Sequence, residues 1–222
     1  MLAFAVFTTG CKKDDDDDDT PTPTPTYGKL MAIHASPDAP GVDLLIDNAV
    51  QNSSALTYPN STSYLQVQTG TRNVKINATG TSTSVINANL TIEENKNYSV
   101  FAIDSLSTIE ALVLTDDLTA PASGKAHVRF VHLSPNAPAV DVATVGGTPI
   151  FGNYSFKQYS SFAPLAAPNT YNLEVRLAGT STVVLNVPGV SLTAGKIYTI
   201  FAKGFVGGTG SQALGAQIVA NN

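Results

Sequence analysis

The chain has 222 residues with 43% hydrophobic and 13% charged side chains, no tryptophan and a formal net charge of −5. Lys12, Lys13 and Asp14 to Asp19 account for −4 of that charge, and the other ten Lys/Arg nearly balance eleven Asp/Glu. A near-neutral body has no basic stripe to neutralise phosphates, which argues against nucleic acid as a partner, and no apolar run approaches the roughly twenty residues of a membrane-spanning helix.

In chain order the first segment reads as an address. Leu2 to Phe7 form a short apolar run, followed by Thr8-Thr9-Gly10-Cys11, Lys12-Lys13, six aspartates and an alternating Thr-Pro tract to Thr26. The order apolar, small, cysteine, solvated tail resembles a bacterial lipoprotein signal with its lipobox. The resemblance implies a signal peptide over residues 1–10, cleaved before Cys11, and a diacylglyceryl group on the Cys11 thiol. Leu2 to Phe7 are few for a secretory signal of about 7–15 apolar residues, so the start of translation is expected upstream of Met1. Acyl chains would anchor the protein at about 0.8 kcal/mol per buried CH₂. Cys11 is the only cysteine, so no internal disulfide is expected.

The aspartates after Cys11 also resemble the surface-export signal of Bacteroidota lipoproteins; like charges extend the chain in either case. The Thr-Pro tract favours polyproline II at about 3.1 Å per residue. Residues 11–28 are therefore expected to be a flexible stalk rather than part of the fold.

The remainder is written twice. His34-Ala-Ser-Pro-Asp-Ala-Pro-Gly-Val-Asp43 matches His132-Leu-Ser-Pro-Asn-Ala-Pro-Ala-Val-Asp141, with Tyr58 against Phe156 and Tyr64 against Phe162. The match continues through "NVKINATGTST" and "NLEVRLAGTST", then "NYSVFA" and "IYTIFA", and ends with Ala111-Leu-Val-Leu set against Ala213-Leu-Gly-Ala. Such a long match means a duplicated domain rather than a solenoid repeat of about 20–50 residues. The polar stretch 115–125 divides a first domain at 29–118 from a second at 125–222.

Within each copy the hydrophobic period is two. Val74, Ile76 and Ala78 alternate with Asn73, Lys75 and Asn77, as expected of half-buried antiparallel strands. Seven strands are predicted in the first copy, near 30–34, 42–47, 62–67, 72–78, 84–92, 97–103 and 109–115. The predicted class is all-β, with two tandem immunoglobulin-like or transthyretin-like sandwiches. The paired Tyr and Phe positions read as core, one set per domain.

The decapeptide at His34, a "GT" strand and a Tyr-x-x-Phe-Ala strand together resemble the domain of unknown function 4397 family of bacterial surface lipoproteins. The resemblance covers nearly all of 29–222 in two copies. It implies a β-sandwich on an exported lipoprotein, with no activity to carry over.

The decapeptide has a structural explanation. Pro37 and Pro135 set φ for a turn, Ser36, Asp38, Ser134 and Asn136 can hydrogen-bond nearby backbone, and Pro40 and Pro138 push the preceding residue toward extended geometry. His34 and His132 end apolar faces and so need hydrogen-bond partners. Asp43 or Asp141 could be that partner, but Val42, Leu44 and Ile46 form the inward row, which points Asp43 outward. Against a hydrolase, Ser36 precedes proline and lacks a Gly-x-Ser-x-Gly elbow. Against zinc, there are only three histidines, and His127 lies on the opposite face from His132. Asp38, Asp43 and Asp47 lack a recognised calcium loop. "GFVGGTG" at 204–210 lacks the Lys-Ser/Thr of a phosphate loop and is expected to be a flexible hairpin. Asp104-Ser105-Leu106 resembles a Bacteroidota O-glycosylation site on three residues alone.

Aromatics unmatched in the other copy include Phe130, Phe151 and Phe205, and Tyr154, Tyr159 and Tyr171 form the candidate ligand surface. The expectation is a non-enzymatic protein with no catalytic or metal site and no cofactor, anchored in the outer membrane and facing the cell exterior. Its role would be adhesion, glycan or ligand capture, or scaffolding with a surface protein. The alternative is a hydrolase or metal-dependent enzyme built on the His34 and His132 loops.

Overall fold

A computed structural model describes residues 24–222. The expected signal peptide, Cys11, the aspartates and most of the Thr-Pro tract fall outside that range. The first half forms β1 (Tyr27–His34), β2 (Val42–Ile46), β3 (Ala49–Val50), β4 (Leu65–Gln68), β5 (Gly70–Ala78), β6 (Ser84–Ile92), β7 (Asn97–Ile103) and β8 (Glu110–Asp116). The second forms β9 (Lys125–His132), β10 (Val140–Thr144), β11 (Pro149–Tyr154), β12 (Ala163–Ala166), β13 (Asn169–Leu177), β14 (Val183–Leu192), β15 (Ile197–Lys203) and β16 (Gly215–Ala220). Two short 3-10 turns, Leu106–Thr108 and Gly210–Gln212, precede β8 and β16. The architecture is all-β, as the period-two pattern predicts.

Each half is a sandwich of two four-stranded sheets, with the same strand order in both halves. In the first, β4-β1-β7-β8 faces β3-β2-β5-β6; in the second, β12-β9-β15-β16 faces β11-β10-β13-β14. β1 and β7 pair in parallel, as do β9 and β15, while the other ladders are antiparallel. Leu30, Ala32, Val42, Leu44, Val74, Ile76, Val100 and Ala102 fill the first sandwich. Val128, Phe130, Val140, Val142, Leu173, Val175 and Ile200 fill the second. Phe130, Phe151 and Tyr154 of the unmatched aromatics belong to this second core: Phe151 stacks on Phe130 at 6.2 Å between centroids, and Tyr154 meets Phe130 edge-on at 5.9 Å.

The two sandwiches share a third core. Met31, Ile33, Phe101, Ile103 and Leu114 on the outer face of the first β1/β7/β8 sheet pack against Val131, Leu133, Phe201 and Val219 of the second. The chain is thus four sheets deep, and β1, β7, β9 and β15 are buried on both faces. Phe101 and Phe201 meet edge-to-face at 6.1 Å on this seam. Such aromatic pairs contribute about 0.5–1.5 kcal/mol beyond their area.

A polar network lies inside this apolar seam. Arg129 Nη1 pairs with Asp116 Oδ1 at 2.7 Å, and both side chains are almost wholly buried. Arg129 also donates to Thr199 Oγ1 at 2.9 Å and to Ser99 Oγ at 3.0 Å. Asp116 Oδ2 accepts from Ser99 Oγ at 2.7 Å and from the Tyr64 hydroxyl at 2.5 Å. Asn221 closes the circuit, donating to Tyr64 at 3.0 Å and accepting from Thr199 at 2.7 Å. Burial, followed by the Asp116 carboxylate, pushes the Tyr64 hydroxyl well above the ordinary tyrosine range, so it stays a donor.

Three expectations need correction. Each copy has eight strands rather than seven: the added strand is the two-residue β3 in the first, too short to show a period, and the six-residue β11 in the second. The pairing of Ala111 with Ala213 is wrong: Ala102 pairs with Ala111 and Ala202 pairs with Ala216, so Ala216 is the true counterpart of Ala111. The connection before β16, residues 204–214, is therefore longer than its counterpart at 104–109. Finally, Tyr64 and Phe156 pack on the seam between the domains rather than in a core of their own.

Asp116→Ala should leave Arg129 buried without its counter-charge and cost about 3–5 kcal/mol in urea unfolding. Arg129→Met with Asp116→Asn copies the residues at the matched positions, Met31 and Asn221, and should recover most of that loss. A single-variant cost below about 1 kcal/mol would remove the pair from the stability account.

Candidate functional site

The two decapeptides form matching corners between the sheets of each sandwich. Each leaves β1 or β9 at a fully buried histidine, turns at Pro37-Asp38 or Pro135-Asn136, and enters the opposite sheet at Val42 or Val140. His34 Nε2 lies 2.8 Å from the Pro40 carbonyl, and His132 Nε2 lies 3.1 Å from that of Pro138. A carbonyl can only accept, so each ring carries its proton on Nε2 and leaves Nδ1 as an acceptor. Neither buried Nδ1 has a partner. Burial lowers the pKa of both histidines, opposed by the proline carbonyls.

The other motif side chains tie the corner to its neighbours. Asp38 Oδ1 accepts from the Leu106 amide at 2.8 Å. Asn136, at the matched position, accepts from the Val206 amide at 2.8 Å and donates to the Val206 carbonyl at 3.0 Å. Asp43 accepts from Thr79 Oγ1 at 3.1 Å and the Gly80 amide at 3.2 Å, holding the β5–β6 turn. Asp141 accepts from the Asn153 and Gly179 amides at 2.6 and 2.9 Å, holding the β11 end and the β13–β14 turn. Gly80 and Gly179 take φ of +74° and +72° in those turns, which glycine adopts without steric cost. Ser36 and Ser134 are fully buried, and Ser134 Oγ donates to the Gly204 carbonyl at 2.6 Å.

No nucleophile, base and open substrate position come together at either corner. The three aspartates weighed for calcium are dispersed: Asp38 holds Leu106, Asp43 holds the β5–β6 turn, and Asp47 pairs with Arg72 at 3.3 Å. Among the described residues, no group of three His, Cys, Asp or Glu side chains is placed to hold a metal ion.

The three candidate ligand-surface tyrosines do not form one platform. Tyr154 commits its ring to Phe130. Tyr171 packs on the second core, and its hydroxyl donates to the Ala166 carbonyl at 2.9 Å. Tyr159 alone is exposed, at 52%. Nor is the 204–210 stretch a loose hairpin. The Phe205 carbonyl accepts from the Gly208 and Leu214 amides, both at 3.0 Å, and the Phe205 amide donates to Gln212 at 2.8 Å.

What the sequence reading missed is a cavity of about 340 Å³ at this end of the second sandwich. His132 and Pro138 contribute to its wall, with Val140, Val175, Leu177 and Leu185 from the sheet and Val184, Val206 and Leu214 besides. His132 is the only polar side chain in that lining. The signal that could have found it is the extra length before β16, which the mistaken alignment of Ala213 hid.

The fold and these corners define a class: a non-helical tandem sandwich whose repeated motif turns the chain between sheets. The sequence profile of the domain of unknown function, DUF4397, matches residues 28–143, and the chain belongs to that family. That stretch contains both decapeptides. No curated protein matches the chain. Among solved structures, the C-terminal domain of AlgF from P. aeruginosa is 22% identical, with a TM-score of 0.33, over 44% of this chain and 98% of that one. CBMbc, a family CBM26 domain of Eubacterium rectale Amy13K solved with maltoheptaose, is 12% identical, with a TM-score of 0.27, over 86% and 96% of the two chains.

A buried neutral histidine costs stability once the unfolded chain can take up its proton. Burial holds both folded-state pKa values below the ordinary histidine value of about 6.5. The two corners should therefore have no pH-dependent effect above about pH 6.5 and should lose stability as pH falls from there toward the folded values. The slope is at most about 1.4 kcal/mol per pH unit for each histidine. Urea midpoints between pH 7.5 and 5 should show this, and His34→Gln with His132→Gln should flatten the profile.

Proposed function

We propose that this chain is a lipid-anchored, non-enzymatic binding or scaffolding protein of a Bacteroidota-type outer membrane, held on the cell exterior. On this reading Cys11 carries the acyl anchor and residues 11–28 are the stalk. Two copies of the family module follow, at 29–118 and 125–222. The Thr8-to-Cys11 lipobox and the aspartates behind it support the anchoring and the outward address. The membrane is then the first partner, and a glycan, a smaller ligand or a surface protein is the second.

One observation carries the non-enzymatic reading. The groups of the repeated motif that could do chemistry are buried or already committed to holding the chain. Both serines and both histidines are fully buried, and each histidine Nε2 is tied to a proline carbonyl. The acidic or amide side chains at 38, 43, 136 and 141 hold backbone amides. A hydrolase needs a reachable nucleophile beside a free base, and neither corner supports one.

Whole cells of a Bacteroidota host expressing the chain, fed labelled palmitate, test the address. The protein should take up label, pellet with the outer membrane and be shaved by external protease. Cys11→Ser should abolish the label and leave the precursor uncleaved. An unlabelled wild-type protein in the cytosol would overturn the proposal.

A further inference from the structure

The cavity of the second sandwich has the properties of a binding site, and the comparison between the two copies shows why. In the first sandwich, Val85 and Ile109 pack onto the core. Their counterparts by strand register are Val184 and Leu214, and these line the cavity. The longer 204–214 connection carries Val206 to the lining as well. Asn136 fixes that placement, gripping both the amide and the carbonyl of Val206, whereas Asp38 takes only the Leu106 amide. The rim keeps apolar side chains in water: Val184 is 37% exposed and Val206 48%.

The lining decides the chemical class. An apolar cavity stays dry and favours an apolar guest. A sugar would give up its water hydrogen bonds and find only His132, whose Nε2 already serves Pro138 and whose Nδ1 is a single acceptor against many hydroxyls. No aromatic ring other than this imidazole lines the space, so there is no stacking face for a planar guest. A volume of about 340 Å³ holds roughly ten water-sized groups at about 30 Å³ each.

We propose that this cavity binds an unbranched aliphatic chain of about ten carbons, with any polar head left at the mouth. The inference rests on the reading of the chain as a binding protein and names its ligand class. The chain could arrive as a free fatty acid or as the tail of a larger amphiphile.

Calorimetric titration of the purified protein with decanoate, below its micelle concentration, should show saturable binding at one site. Ala137→Phe and Val184→Trp, which fill the cavity from its wall and rim, should each weaken binding at least tenfold with the melting temperature kept. Ala39→Phe, the matched change in the first sandwich, should leave binding unaltered. Should Ala137→Phe fail to fold, Val184→Trp on the exposed strand gives the reading alone. Decyl maltoside binding as well as decanoate would assign recognition to the tail of any amphiphile; binding of decanoate alone would assign it to the free acid. No saturable binding of either probe, or binding indifferent to a folded filling variant, overturns the proposal. A failed titration beside intact palmitate labelling of Cys11 would remove the cavity ligand and leave the anchored-protein reading in place.

Discussion

The buried contact between Arg129 and Asp116 fixes how the two sandwiches sit together. Each charge pays a desolvation cost that neither domain could offset alone, since Arg129 belongs to one and Asp116 to the other. Tyr64, Ser99 and Asp116 come from the first domain, and Arg129, Thr199 and Asn221 from the second, so the contacts of Arg129 with Asp116 and Ser99 and of Asn221 with Tyr64 exist only when the seam is closed. An apolar seam of this size could tolerate sliding of one sheet over the other. A charge pair inside it cannot slide without leaving a charge unpaired. The hydrophobic contacts of Phe101, Phe201, Ile33 and Val131 supply the driving force, and the ion pair selects the register.

Duplication explains the materials of this seam, and divergence explains the charge. Ser99 and Thr199 occupy the same place in their copies, as do Asp116 and Asn221, and Met31 and Arg129. Two identical sheets packed back to back would set like against like: two arginines would repel, and two aspartates would each need a proton. Placing the cation in one copy and the anion in the other resolves this. The ring pair follows the same division. Tyr64 gives its hydroxyl to Asp116, while Phe162 offers its ring face to the Arg129 guanidinium at 4.8 Å. At the edge, Lys203 of the second copy lies 5.2 Å from the Tyr58 ring of the first, and Lys157 pairs with Glu110.

How far the fold could be read in advance depended on how many faces each strand hides. β2 and β5 bury one face, so Val42, Leu44, Val74 and Ile76 show the alternation and their strands were legible. β1, β7, β9 and β15 bury both. There the rule that polar residues face water misassigns Arg129, which alternates with Val128 and Phe130 yet points into a second core. Nothing local distinguishes an arginine facing solvent from one facing a partner sheet. The corner motif was legible for a different reason: proline and Asx turn chemistry is local, so Pro37-Asp38 and Pro135-Asn136 declare themselves. The cavity was hidden because it arises from a difference in loop length, and a match of "ALVL" to "ALGA" absorbed that difference.

The exchange of Asp38 for Asn136 shows how one module could take on a task while its copy stayed structural. A carboxylate only accepts hydrogen bonds, so Asp38 can hold the following connection at the Leu106 amide and nowhere else on that peptide unit. An amide accepts and donates, and Asn136 therefore holds Val206 at both its N–H and its carbonyl. Two-point attachment removes the freedom that the added residues of 204–214 would otherwise have. Gly204 and Gly207, at φ of +78° and +81°, let the backbone reverse within the space available. At Gly204 any side chain would meet the Ala213 carbonyl, so its backbone lies against the return of the same loop. The hairpins held by Asp43 and Asp141 cannot vary so freely, because carboxylates carried on the strand that leaves the corner grip their turns. The connection after β7 or β15 borders neither the seam's ion pair nor those turns, which makes it the place where a change in length opens space beside the core without unsettling either sandwich.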